Sequence, residues 1–410
     1  RLLDGEVALF RSDDQALAWL EGIVGGGRAS VSLAASEWTM FRGNETRTAS
    51  THGGVPLINF RWSLPTINDP QDEQKVKSLA RSMRDRGEPN VVALQPLVVQ
   101  DSVIIRAPDS SKLIGVDLRT GKRQWVFPPF DDSPAVQATR SSAPPARGGN
   151  SANLRDQELK QRVWDDHAFG QVSSDGRQVY VIDDLGYAAT GNAMNRQVVI
   201  GRGGRPTINS GWSKSHNLLV ALDLKKQGYQ AWAVGGTTGD NPSLAGAFFL
   251  GPPLPLGDQL YALVELNSEL RLVCLSAKDG SLEWKQQLAV VEDNQQIEMD
   301  RVRRLAGASP SYADGVLVCP TSAGAVVAVD LTTRSLRWGY QYPRWDVIHR
   351  SSGAFGVRTM FAGANAAQGQ WIDGTATIAD GCVVLTPVES QELHCVDLLT
   401  GKARWPAQPR

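Results

Sequence analysis

Cysteine is scarce in this sequence: four in 410 residues, at positions 274, 319, 382 and 395, with no two adjacent and none in a C-x-x-C pair. A C-x-x-C-H haem attachment is therefore excluded, and the five scattered histidines add no spacing that suggests a metal site. Charge of one sign is also missing. Lys and Arg number 42 against 43 Asp and Glu, a net charge of -1, which removes the long-range positive field of a nucleic-acid binder. Long hydrophobic runs are absent: stretches such as 245–250 (AGAFFL) fall far short of the about eighteen apolar residues that cross a bilayer. No membrane span is predicted. The sequence opens on Arg1 without a basic-then-apolar leader, so it carries no information on targeting.

What is present is repetition. Residues 324–338 read GAVVAVDLTTRSLRW: an apolar alternating run to Asp330, a tight turn, and a short return carrying Trp338. The pattern recurs as LIGVDLRTGKRQW at 113–125, LLVALDLKKQGYQAW at 218–232, LRLVCLSAKDGSLEW at 270–284 and LHCVDLLTGKARW at 393–405. Asp at the mouth of a turn accepts from main-chain N–H groups two residues on, Gly supplies a positive φ, and a large indole fills the gap between neighbouring wedge-shaped sheets. We therefore assign Asp117, Gly121, Trp125, Asp223, Trp232, Gly280, Trp284, Asp330, Trp338, Asp397, Gly401 and Trp405 to the scaffold. One active site has no use for five copies.

These sentences, VDLRTGKRQW, AVDLTTRSLRW and VDLLTGKARW, resemble the tryptophan-docking motif of the pyrroloquinoline-quinone-type repeat. The motif characterises β-propellers of the quinoprotein alcohol dehydrogenase-like superfamily and is similar to that of the propeller lipoprotein of the outer-membrane barrel assembly machine. The resemblance spans residues 38–405 and implies an all-β fold of four-stranded antiparallel blades. Five blades are expected, at about 88–130, 160–236, 243–290, 301–345 and 370–410, as part of a ring that in this family has seven or eight. Residues 60–64 (FRWSL) have the character of a Trp-bearing return strand and are expected to close the ring as strand 58–64. Their partner strands are not found, so an open arc within a longer polypeptide is expected, the alternative being tight closure of FRWSL against the edge left at Trp405.

Ahead of the repeats, residues 2–10 and 13–24 read as a short helical hairpin within 1–30, stopped by Gly25 to Gly27 and expected to end an upstream helical-repeat region. A helix is predicted from Asp69 and Pro70 to Gly87, with Val76, Leu79, Ala80 and Met83 at helical spacing, as a surface insertion. Residues 128–155, 184–215 and 340–370 read as long loops.

The chemistry implied by the resemblance is tested against the cysteines. Active quinoprotein dehydrogenases hold the quinone against a ring of two adjacent cysteines, with calcium nearby; that pair is absent here. The leading expectation is therefore a non-catalytic scaffold of the bacterial envelope or periplasm with protein partners and no cofactor. The alternative is a quinone-dependent dehydrogenase with calcium, or a ligand-binding propeller, whose site lies in blades outside this chain. Cys274, Cys319 and Cys382 are expected as buried small hydrophobes, and Cys382 and Cys395 flank one hairpin, where a cross-strand disulfide is conceivable. Asp165, Asp166 and His167 read as a solvated turn in preference to a metal or acid/base site, and 201–206 (GRGGRP) as a flexible insertion rather than an anion cradle. Trp345, Asp346, His349 and Arg350 combine an aromatic with charges in a long loop, a composition suited to protein binding.

Overall fold

Short alternating apolar runs cut by Asp, Gly and Asn favour antiparallel strands joined by tight turns, and that is the organisation seen. The computed structural model describes residues 12, 14–16, 19, 37–50, 60–88, 90–110, 112–128, 156–157, 159–183, 197–200, 206–209, 215–236, 241–291, 297, 300–344 and 371–409. The 1–30 helical hairpin and the 201–206 segment fall almost wholly outside these residues, and the loop with Trp345, Asp346, His349 and Arg350 wholly so.

Helix α1 (Pro70–Asp85) starts where Asp69 accepts from the Gln71 N–H and Pro70 occupies the first turn. It is more than an insertion. Met83, with Val76, Leu79 and Ala80 beside it, packs on Val163 and Trp164 ahead of the second blade.

Blade 1 comprises β1 (Leu97–Val99), β2 (Ser102–Arg106), β3 (Leu113–Asp117) and β4 (Arg123–Phe127), paired in that order. A π-helical turn (Gln161–Asp165) and α2 (His167–Gly170) lead into blade 2, formed by β5 (Ser173–Ser174) and β6 (Gln178–Asp183) with two later strands. Between them β7 (Gln197–Ile200) and β8 (Pro206–Asn209) make a separate hairpin, after which β9 (Leu218–Asp223) and β10 (Tyr229–Gly235) complete the sheet. In blade 3, β11 (Phe248–Phe249) and β12 (Leu254–Leu256) share the inner edge of β13 (Gln259–Leu266), followed by β14 (Glu269–Ser276) and β15 (Leu282–Val290). Helix α3 (Arg301–Leu305) precedes blade 4: β16 (Ser311–Ala313), β17 (Val316–Pro320), β18 (Ala325–Asp330) and β19 (Ser335–Gln341). Blade 5 holds β20 (Thr377–Ala379), β21 (Cys382–Leu385), β22 (Glu392–Asp397) and β23 (Gln408–Pro409).

Each sheet gives its apolar side chains to its neighbours, as a propeller requires. Leu97 and Ile104 of blade 1 meet Val179 and Leu222 of blade 2, and Tyr180 and Ala221 meet Phe249 and Leu260 of blade 3. Leu272 and Cys274 meet Leu317 and Cys319, and Val318 and Ala328 meet Ile378 and Val383. Each Leu, Ile, Val or Phe among these, when fully buried, contributes about 1.5–3 kcal/mol. The described residues form five β-propeller blades packed in succession.

Two strand expectations are corrected. Residues 60–64 form no strand and pair with none of the described blades; Trp62 and Leu64 instead pack against Ile114 and Val116 of β3, and Trp62 bonds to the Leu118 carbonyl. Trp405 does not ride on a return strand either. After a single bridge between Ala403 and Val396, the chain leaves the sheet and rejoins it only at β23, with Pro406 interrupting the run.

Candidate functional site

The inner edges of a propeller's first strands line its axis, where the N–H and C=O groups need partners. Here residues 37–49 supply them. Trp38 exchanges two main-chain bonds with Val98 of β1, at 2.8 and 3.0 Å, and the Thr39 carbonyl accepts from Ser174 of β5 at 2.8 Å. Farther along, Glu45 and Thr46 carbonyls accept from Tyr312 of β16 and Ile378 of β20, both at 2.9 Å. Met40 enters the apolar cluster of blade 3. One strap therefore ties all five blades at the axis.

Two of its arginines bond to the segments around it. The Arg47 guanidinium donates to Ser309 Oγ and the Pro310 carbonyl, each at 2.8 Å, and to the Phe41 carbonyl at 3.0 Å. Burial, with Arg42 nearby, pulls it down to about 10, still protonated at neutral pH. Arg42 forks onto Asp373 at 3.1 and 3.3 Å and donates to Thr377 Oγ1. Beside this group His167 is buried, and desolvation lowers its pKa against the opposing pull of Asp373, Asp166 and Asp165. A Cβ at Gly307 would come within 2.7 Å of the His167 main chain, so α2 and the segment following α3 are in direct contact there.

The Asp165–Asp166–His167 stretch is consequently not a solvated turn. Asp166 caps α2 by accepting from Phe169 N–H at 2.9 Å and pairs with buried Arg162 at 2.9 Å. Phe169 lies between two guanidinium groups, Arg106 at 3.8 Å and Arg162 at 4.0 Å from its ring centroid. This is a structural knot at the head of blade 2. Among the described residues no group of three His, Cys, Asp or Glu is placed to hold a metal ion.

All four cysteines are free thiols. Burial pushes Cys274 up to about 12 and Cys395 up to about 11, far from a nucleophilic thiolate. Cys382 is half-buried rather than in the core. It stands opposite Asp397 while Cys395 stands opposite Val384, a diagonal placement in place of a facing pair.

The repeated residues form a second pattern, away from the axis. Asp117 Oδ1 accepts from Arg119 N–H, Thr120 N–H and Thr120 Oγ1 at 3.1, 2.7 and 2.8 Å, and Asp397 makes the same three bonds to Leu399 and Thr400 at 3.1, 2.9 and 2.8 Å. The threonine hydroxyls hold both carboxyls below their usual range. Asp223 accepts from Lys225 and Lys226, and Asp330 from Thr333. Over these turns lie indoles from the preceding blade: Trp232 donates to the Ala277 carbonyl at 3.1 Å and Trp338 to that of Leu398 at 2.8 Å. Trp125 lies on Gly228, and Trp284 packs beside Leu331 under the Arg334 guanidinium. Gly401 shows why the turn wants glycine: φ is +68°, and a Cβ there would sit 2.6 Å from the Trp338 ring.

A feature that periodicity does not reveal aims these indoles. The register between third and fourth strands shifts by one residue just before Trp125, Trp232, Trp284 and Trp338. The bulged residues are Gln124, Ala231, Glu283 and Arg337, and the extra residue turns each following indole toward the next blade. Between blades 1 and 2 a hollow of about 300 Å³ opens beside Trp125, but Gln100, Ser102, Gln124 and Gln227 provide its polar groups and no titratable side chain lines it.

Residues 215–408, just under half of the chain, match the family model described as outer membrane protein assembly factor BamB. No curated protein matches the sequence. Among solved structures, BamB from Moraxella catarrhalis aligns at 13% identity over 77% of this chain and 64% of that one, with a TM-score of 0.41. A europium-containing methanol dehydrogenase aligns at 12% identity over 92% and 58%, with a TM-score of 0.43. The quinohemoprotein alcohol dehydrogenase from Comamonas testosteroni aligns at 14% over 96% and 52%, with a TM-score of 0.42. This chain thus spans less than two thirds of each of those chains.

Proposed function

We propose that this PQQ-type β-propeller is a non-catalytic scaffold of the bacterial envelope whose outward blade surfaces and loops engage other proteins. The observation that carries the reading is the strap on the axis: main-chain bonds to β1, β5, β16 and β20 and the buried Arg47 engage inner-edge polar groups that a small ligand would need. The residues present do not fit a quinone with calcium. The thiols are isolated or diagonal and the axial carboxylate Asp373 is already forked by Arg42, so no redox step is assigned to them. The match to a model named for an outer-membrane assembly factor supports protein partners and an envelope setting. In keeping with this, no helix among the described residues is long and apolar enough to cross a membrane.

Incubating the purified protein with the quinone and calcium, then reading absorbance, mass and alcohol-dependent dye reduction, tests the reading. We expect neither retained quinone nor dye reduction. Stoichiometric binding with turnover would replace the scaffold by an enzyme.

A further inference from the structure

We propose that the Cys382 and Cys395 thiols of blade 5 form a two-coordinate site for a soft monovalent cation of the Cu(I) type. In the register of β21 with β22, Cys382 stands opposite Asp397 and Val384 opposite Cys395. Facing residues, and residues two apart on one strand, share a side of the sheet, so these four lie on one face. Val383, Val396, Leu385 and His394 take the other face. There the three apolar residues enter the cluster shared with blade 4, and the His394 ring nitrogen lies 3.2 Å from the Tyr340 hydroxyl of β19. The two thiols are therefore diagonal neighbours, turned away from that interface.

The diagonal decides which chemistry the pair can do. A disulfide needs Cα atoms within about 6.8 Å and Cβ atoms about 3.8 Å apart. Diagonal neighbours on antiparallel strands lie about 7–8 Å apart. The sulfurs nevertheless reach across, since the Cys395 thiol is within hydrogen-bonding reach of that of Cys382. A thiolate–ion–thiolate bridge holds its sulfurs up to about 4.6 Å apart, twice a metal–sulfur bond of about 2.3 Å. The spacing suits an ion between the sulfurs better than a bond joining them.

The donor set selects the ion. Among the described residues no group of three His, Cys, Asp or Glu is placed to hold a metal, and Asp397, on the same face, is committed to Leu399, Thr400 and Arg404. Tetrahedral zinc and oxygen-seeking calcium lack their ligands here, whereas soft thiolates are the donors that select Cu(I). On binding, two S–H bonds break, two metal–sulfur bonds form and two protons leave to solvent, so the site gains one negative charge. Arg404 offsets it: its main-chain N–H donates to the Cys395 carbonyl at 2.8 Å, and its guanidinium acts on the Cys395 thiol in the sense that favours the anion. Half-buried Cys382 is the sulfur an incoming ion meets, and Cys395, 2% exposed, closes the site behind it. Cys274 and Cys319 have no such arrangement, the first lying 3.7 Å from Glu283 and the second standing opposite Val327.

Titrating the reduced protein, without oxygen, with Cu(I) held by the chromophoric chelator bicinchoninate tests this. One equivalent of Cu(I) is expected to pass from the chelator to the protein, and X-ray absorption of the loaded protein to show two sulfur neighbours. Cys382→Ser and Cys395→Ser are each expected to lose that equivalent, and Cys319→Ala to keep it. Cys382→Ser should melt with the parent, which separates loss of the site from loss of the fold. No transfer from the chelator, transfer unchanged in the two serine variants, or a Cys382–Cys395 disulfide in the protein after exposure to air would overturn the proposal.

Discussion

Trp62 donates its indole N–H to the Leu118 carbonyl at 2.9 Å. Trp232 and Trp338 make the equivalent bond to the residue after the next turn's first position. A return strand carries the indole at Trp125, Trp232, Trp284 and Trp338; at Trp62 a coil segment does so, and a Cβ at Gly121 would lie 2.6 Å from its ring. Docking is thus a property of the side chain and the turn together, separable from strand pairing.

The first prediction contrasts two copies of one residue. Trp338→Ala removes an indole wedged between blades 4 and 5 and should cost about 3 kcal/mol. Trp405→Ala, on the uncovered face, should cost about 0.5 kcal/mol or less. Urea unfolding of the two variants checks the difference, and equal losses would contradict the docking geometry.

Gly121→Ala places a methyl group into the Trp62 ring at a φ of +71°. Backbone strain and overpacking together should destabilise by about 2 kcal/mol or more. Gly176 and Gly315, whose added Cβ would meet nothing within 4 Å, are the controls for positive φ alone. They should lose less.

Arg47→Met keeps the stem but removes the donors for Phe41, Ser309 and Pro310. Unsatisfied acceptors cost about 1–3 kcal/mol each, and relief of the buried charge offsets part of that. A net loss of about 2 kcal/mol is expected. It should appear in the thermal unfolding of blades 4 and 5 first, since the guanidinium ties the strap to the segment ahead of β16.

His167 is held neutral by burial, below its ordinary 6.5, so the unfolded chain takes up a proton that the fold rejects. Stability is then complete above about 6.5 and falls as pH drops through that value toward the lowered folded one. Buried His394 works in the same sense. Glu389, raised by burial above 4.5, has the opposite sign: its contribution is full below 4.5 and lost as pH rises through its folded value. Melting temperatures between pH 7 and pH 5 should therefore decline more in the parent protein than in His167→Gln. Parallel curves would exclude His167 as a source of the slope.

The five turns and four of the five return strands were legible because turn chemistry and indole spacing are local and repeat in register. The bulges at Gln124, Ala231, Glu283 and Arg337 were not, since a register shift belongs to a pair of strands and leaves no mark on one. Residues 60–64 share the composition of a return strand, but composition does not supply an edge to pair with. The strap escaped for a related reason. In WTMFRGNETR neither period two nor 3.6 is present, because its main-chain groups bond to four different blades and its side chains face different neighbours in turn. Asp166 and His167 looked hydrophilic enough for solvent, and only the arrival of Arg162, Phe169 and Gly307 around them explains their burial.

Hydrogen exchange at the inner-strand amides that bond to the strap tests the filled axis most directly. The amides of Val98, Ser174, Tyr312 and Ile378 should exchange only with global unfolding, together with the core of β13 and β14. Exchange of these four at the rate of exposed loops, while β13 and β14 stay protected, would show an open axis and contradict the account.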